Sequence, residues 1–355
     1  MGDDKQSISE ILLENRQSFL RFNRFKTSQT LRTLSEIDRL IYKVIPRLLH
    51  VNQEGLPGYI TREVPCGIFN YTLDSETQIA LDKLFPDIIV RRNSGSRPII
   101  QTILLMGSVG SIAQTNKSDL DYTLLINKKD FTPQGMESFQ KKLRSIEEWT
   151  WVNYHLETHF FVNDITDLRN NNFGESDSES TGTAMAKLLK EEMFRTIIIV
   201  AGKVPFWWIM PVATDDKKYK RYCDLINSSK TLLHPEEFVD MGNVDDISDG
   251  EFFGGSIWAL IKSFKSPFKT LMKMGLLEEY MFNNSKSNLL CHEIKRRVYK
   301  GDDPHIEIDP YLTMFNRVEN YFKTVKDEAD VDALRSAFYL KVGTQVNADE
   351  MRAYT

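Results

Sequence analysis

The sequence predicts an α+β fold in which a strand-bearing core lies between two helical regions. Three observations carry this. The N-terminal stretch repeats apolar side chains three and four apart, as in "LRTLSEIDRLIYKVIPRLL". A middle stretch holds short apolar runs separated by turn-rich breaks. From "AMAKLLKEEMFRTIIIVAG" (184–202) onward the helical character returns. The expected boundaries are 1–55 for the N-terminal helices, 56–212 for the core and 213–355 for the C-terminal helices.

Taken in order, residues 8–50 read as helices, with Pro46 expected to kink or restart the pattern. "NQEGLPGY" (52–59) is a turn-rich break, after which "CGIFNYTL", "DIIVRR" and "RPIIQTILLM" read as extended segments. "NKKDFTPQGMESFQKKLRSIEEWTW" begins as a loop and continues as an amphipathic helix, and "NYHLETHFFVND" (153–164) reads as a strand. "RNNNFGESDSESTGT" (169–183) has almost no apolar content and is expected to be a mobile loop. Gly202 stands where a helix C-cap glycine would, and "ATDDKKYKRY" (213–222) reads as a solvated charged face.

Composition narrows the function. The 355 residues are 41% hydrophobic and 27% charged, as in ordinary globular proteins. No apolar run approaches the roughly 20 residues that span a bilayer. "MGDDKQSISEILLEN" is acidic where a signal peptide is basic, and Gln6 breaks the myristoylation pattern. Cys66, Cys223 and Cys291 are far apart and form no CxxC, which suits reduced thiols in a cytoplasmic protein. A net charge of −5 gives no general pull toward nucleic acid, so a polyanionic ligand would need a local positive site.

The chemistry concentrates in "LLMGSVGSIAQTNKSDLDYTLLIN" (104–127). Residues two apart on a strand share a face, so Asp119 and Asp121 project together while Leu120, Tyr122 and Leu124 fill the other face. Two neighbouring carboxylates repel unless a cation bridges them, and Mg²⁺ commonly uses one or two carboxylates plus substrate phosphates. Gly107-Ser108 supplies a turn whose backbone can approach a phosphate and whose hydroxyl can bond it.

This arrangement resembles the nucleotidyltransferase superfamily of DNA polymerase β. Further blocks extend the likeness to the catalytic portion of the class I, enterobacterial-type adenylate cyclases. They are "IPRLLHVNQEGLPGYITREVPCGIFNYT", "MGSVGSIAQTNKSDLDY", "ETHFFVND", "FRTIIIVAGKVPFWWIMPV", "GGSIWALIKSFKSPFKTLMKMGLLEEY", "DPYLTMFNRVENYF" and "LRSAFYLKV". The resemblance implies a polymerase β-like core and conversion of ATP to 3′,5′-cyclic AMP and pyrophosphate. It also implies two ions, Mg²⁺ or Mn²⁺: one to lower the pKa of the ribose 3′-OH, the other to neutralise the leaving pyrophosphate.

Carried over residue by residue, Asp119, Asp121 and Glu157 become the metal ligands, with Asp164 the alternative third carboxylate. Gly107, Ser108 and Ser118 become the phosphate-holding turn. Arg195, Lys203, Lys262, Ser266 and Lys269 are the candidates for the triphosphate, so the C-terminal helices are expected to complete the nucleotide site. His159 reads as a core or supporting histidine rather than a base. The family tryptophan that follows the second aspartate by two positions is Thr123 here, which bears on base preference. The expected partner is ATP, without nucleic acid or membrane insertion, and the regulator is unknown. Two rivals share these residues: a nucleotidyltransferase acting on a protein, RNA or small-molecule acceptor, and a nucleotide sensor without turnover. A basic amphipathic helix for a membrane or partner is the other reading of "WALIKSFKSPFKTLMKM", which Pro267 interrupts.

Overall fold

The structure, a computed structural model, describes residues 7–90, 97–116, 118–173, 185–228, 233–244, 246–282, 288–301 and 308–343. It begins with α1 (Ile8–Thr33), started by a capping box in which Ser7 and Glu10 each bond the other's backbone N–H. Ser35 caps α2 (Glu36–His50). Pro46 does not restart the pattern: it lies inside a single continuous helix. Its missing N–H forfeits the bond to the Tyr42 carbonyl, and burial of Ile41, Val44, Ile45, Leu48 and Leu49 offsets that loss and holds the last turns in place.

Of the three extended segments, only the third forms a strand, β1 (Ile100–Leu105). "CGIFNYTL" contributes a lone bridge, Ile68 to Ile100, and "DIIVRR" is irregular through Val90, its last two residues lying outside the described set. Between them sits a helix that the reading missed, α3 (Ser75–Leu84), nucleated where the Asp74 carboxylate accepts the Thr77 N–H.

Next come β2 (Leu120–Ile126), α4 (Pro133–Tyr154), β3 (Thr158–Asp164) and α5 (Ile165–Arg169). The expected loop lies mostly outside the described residues. α6 (Ala186–Thr196) then ends, and β4 (Ile198–Gly202) follows at once. Gly202 is therefore no helix cap. It sits at φ +100°, where a Cβ would press against the Gln101 carbonyl oxygen and come within 2.7 Å of Thr102 Cα. The apolar run "IIIV" favours the strand.

The four strands form a mixed sheet in the order β3-β2-β1-β4, with β2 and β3 parallel and the other pairs antiparallel. β5 (Val204–Pro205) and β6 (Phe238–Val239) make a small separate pair. Between them, α7 (Asp216–Asn227) carries the charge run on its outer side and buries Tyr219, Cys223 and Ile226. The rest is helical: α8 (Asp249–Lys262), α9 (Pro267–Phe282), α10 (Leu290–Lys300), α11 (Pro310–Val325) and α12 (Glu328–Val342). All three cysteines are buried and free. Among the described residues no helix is long and apolar enough to cross a membrane.

The sheet separates two cores. Leu120, Tyr122, Leu124, Ile103 and Leu105 face a core built with α2 and α4. Leu104 and Leu125 face the other, which also holds Leu12 and Phe19 of α1, Phe194 of α6 and side chains of α8 to α12. By strand alternation Asp121 and Thr123 belong to this second face. The C-terminal helices thus pack on the side of β2 that carries the acidic pair.

Candidate active site

Backbone pairing assembles the acidic residues. The Met106 N–H donates to the Asp121 carbonyl, joining the start of the turn to the D-x-D strand. The Leu120 N–H, between the two aspartates, donates to the Glu157 carbonyl at 2.9 Å. The parallel register then sets Asp121 beside His159 and Thr123 beside Phe161. Ligand atoms of Asp119, Glu157 and His159 all lie within 4.8 Å of one another.

The electrostatics match this crowding. Burial, then the charge of Asp119 and more weakly that of Glu157, pushes the Asp121 carboxyl above its usual range, against the opposing pull of His159 and Lys269. Burial would lower the His159 imidazole. Its hydrogen bond to Glu157 Oε1 at 3.0 Å and the charges of Asp121, Glu157 and Glu147 outweigh that and raise it. Carboxylates thus crowd around the His159 imidazole. Oxygen-rich and open to solvent at Asp119 and Glu157, the donor set fits a hard divalent cation.

The turn beside the acids is open on one side. Gly107 has φ +87° and nothing lies within 4 Å of where its Cβ would be, so the space before it is open. Ser108 Oγ and Ser118 Oγ are 3.3 Å apart, and Ser118 Oγ also accepts the Thr115 N–H at 2.9 Å. Ser118 therefore ties the loop end to the turn.

A cavity of about 380 Å³ is lined by Asp119 together with Arg195, Lys262, Ser266 and Lys269. Residues 263–266 break α8 from α9, and Lys262 and Lys269 on either side of the break both line the cavity. Tyr311 raises the Lys269 ammonium above its ordinary value against the lowering effect of burial, helped by Glu192 and Asp121, so it stays charged. Arg195 is deeper than expected. Its guanidinium pairs with Glu191 at 3.3 Å and lies 3.9 Å from Glu192, making it part of the cavity floor.

Two candidates fall elsewhere. Lys203 follows β4, not a helix, and its N–H bonds the Gln101 carbonyl at the opposite end of β1 from Gly107, with Nζ 4.3 Å from the Phe69 ring centroid. Asp164 caps α5: its carboxylate accepts the N–H groups of Lys128, Thr166 and Asp167 and is thus consumed structurally. Burial would raise its pKa, but those bonds outweigh it and lower the value.

The reading also missed residues. Lys341 near the end of α12 is half-buried; burial and Lys269 lower its pKa while Asp119 raises it, so it shares the site's field. Phe315 stacks on Phe338 at 4.1 Å, which folds α12 back along α11 and brings Lys341 within the field of Lys269. Asp309 is buried and accepts the N–H groups of Tyr311, Leu312 and Ile112, tying the start of α11 to the glycine-serine loop. Both were visible as letters, in "FYLKV" and "DPYL", but nothing local in the sequence aims them at Asp119 or at the loop.

The family model of the adenylate cyclase NT domain matches residues 12–208. That of the class-I adenylate cyclase second domain matches residues 247–354. The chain belongs to the class-I adenylate cyclase family. Relatives in that family include the adenylate cyclases of Shigella flexneri and Escherichia coli (strain K12), each 30% identical over 322 residues, covering 90% of this chain and 38% of the relative. The adenylate cyclase of Proteus mirabilis is 31% identical over 327 residues, covering 90% of this chain and 37% of its own. The chain thus spans less than two-fifths of the length of the curated relatives it matches. No solved structure matches it. Asp119 lies within the first family region, and Lys262, Ser266, Lys269 and Lys341 lie within the second.

Proposed function

We propose that this chain converts ATP to 3′,5′-cyclic AMP and pyrophosphate at the junction of its two family regions. The observation that carries the reading is that Asp119 lines the same cavity as Lys262, Ser266 and Lys269. An acidic site for cations meets a basic site for phosphates there, as a metal-nucleoside triphosphate requires. The mixed sheet, with its acidic pair on a central strand beside a glycine-serine turn, supports a polymerase β-like nucleotidyltransferase core.

Asp119, Asp121 and Glu157 would hold the divalent ions, Mg²⁺ or Mn²⁺, with His159 bonded to Glu157 and fixing its orientation. When bound, such ions supply charge for the developing alkoxide and the leaving pyrophosphate. The chain's own residues do the rest. Gly107 leaves room for the phosphate against the backbone, and Ser108, fixed by Ser118, offers its hydroxyl. Lys262, Ser266 and Lys269 hold the triphosphate so that the α-phosphorus faces the ribose 3′-OH of the same molecule. Arg195 keeps Glu191 and Glu192 paired, so the floor carries no uncompensated charge. Lys203 and Asp164 have no part in this reading.

The test is Asp121→Ala. Cyclic AMP formation is expected to fall by about 10³-fold or more while circular dichroism stays that of the folded protein. Wild-type turnover in this variant overturns the assignment.

A further inference from the structure

Asp119 and the α8–α9 corner account for the phosphates, but not for the base. The residue that corresponds to the family's tryptophan near the metals is Thr123, only 3% exposed, with its hydroxyl on Met106 Sδ at 3.2 Å and no open surface to offer a ring. A stacking surface must come from elsewhere if the base is held by one.

The cavity beside Asp119 has two aromatic side chains among its described lining residues. Tyr280 is fully buried, its hydroxyl accepting the Leu290 N–H at 2.8 Å, and belongs to the core. Trp258 is half-buried. It lies on the face of α8 that also carries Gly255 and Lys262, three residues before and four after. A Cβ at Gly255 would come 2.6 Å from Leu188 Cδ1, so α8 approaches α6 closely here, and Leu188 lines the cavity with Trp258. Leu276 and Leu277 of α9 add apolar walls. On the other side, Lys262 Nζ lies 4.7 Å from the centre of the indole ring. The lining therefore grades from a flat apolar surface into a cluster of lysines. That sequence of chemistries complements a nucleotide, a flat base followed by an anionic chain.

We infer that Trp258 is the stacking platform for the purine base of the bound nucleotide. This rests on the cyclase reading for the identity of the ligand but not for its geometry. Aromatic stacking on a base is tolerant of base identity, so Trp258 fixes affinity and orientation rather than adenine over guanine. The base lies toward α6 and α9, and the phosphates run along Lys262 toward Asp119.

The test uses the whole chain, with Trp258→Phe, which keeps an aromatic ring, and Trp258→Leu, which keeps apolar volume without one. ATP binding is measured by equilibrium dialysis without turnover, and tryptophan emission is followed on adding adenosine or inorganic pyrophosphate separately. The expected results are quenching by adenosine in the wild type, its loss in both variants, and ATP affinity about ten- to one-hundred-fold weaker in Trp258→Leu but largely restored in Trp258→Phe. Unchanged ATP affinity in Trp258→Leu, or wild-type emission that ignores adenosine, overturns the inference. If cyclic AMP forms and Trp258→Leu binds ATP as the wild type does, the platform fails and the cyclase reading survives. If ATP binds through Trp258 but no cyclic AMP forms, the reverse holds.

Discussion

Asp121 shows most clearly how a side chain proposed for the site can be unfavourable for the cation-free fold. Burial and the neighbouring Asp119 raise its pKa. In the cation-free protein the folded state therefore holds a proton over a pH window where the unfolded chain has lost it. Stability falls as pH rises from the ordinary carboxylate range through the raised value. Asp121→Ala is expected to flatten that slope and to leave the thermal midpoint equal or higher in the absence of divalent ions. Thermal melts across pH 4 to 7, in about half-unit steps, would check it. A lower midpoint for the variant at every pH would contradict the account. Thr123 gives the opposite case. The residue is packed between Leu104 and Phe161 in the sheet register, so Thr123→Trp is expected to cost about 1–3 kcal/mol by overpacking instead of restoring a stacking surface. Urea unfolding reads this directly. Lys341 is the residue-scale addition from the second family region, and Lys341→Gln should raise the KM for ATP more than it lowers kcat.

Elements with strong local signals were legible in the sequence. α1, α4, β1 and β3 follow apolar spacing, and the D-x-D strand was legible because alternation alone puts Asp119 and Asp121 on one face. α3 was not, because a ten-residue helix between turns has too few repeats to stand out and depends on its Asp74 cap. β4 was not, because "IIIVAG" continues without a break from the α6 pattern, and only pairing with β1 decides its state. Gly202 is a glycine not for a helix cap but for a close approach to β1, a strand distant in sequence. Gly202→Ala is expected to destabilise by about 2 kcal/mol or more, whereas Gly301→Ala, with open space around its Cβ at φ +70°, should cost about 1 kcal/mol. Comparing their denaturation midpoints tests the difference. Asp309 is the clamp between elements, with three N–H groups on one carboxylate. Asp309→Ala should cost about 2 kcal/mol and slacken the tie between α11 and Ile112.

At the scale of the whole molecule, the site exists only because the helical layer of the second family region closes over the acidic face of the sheet. The larger core includes Leu12 and Phe19 near the start of the chain and Leu334 and Val342 near its end. Trp207 stacks on Phe194 at 4.3 Å and lies 6.0 Å from His292, and Lys295 donates to its carbonyl. A fragment ending at residue 208 would leave this surface uncovered, and no cooperative thermal transition is expected of it. This long-range assembly is also why the cavity was only half visible in the sequence. The motif announced the acids, and the resemblance supplied candidate cations. Which of those cations reach Asp119 depended on how helices more than a hundred residues away pack. Lys262 and Lys269, with Ser266 between them, line its cavity, Arg195 lines the floor, and Lys203 is not among the lining residues.

The most direct measurement of the central claim is product analysis of the 355-residue chain incubated with α-labelled ATP and Mg²⁺ or Mn²⁺, resolved by chromatography. The account predicts label in 3′,5′-cyclic AMP with pyrophosphate in equal amount, in the wild type and not in Asp121→Ala. Label carried onto a macromolecule, or ATP bound and returned intact with both ions, would contradict it.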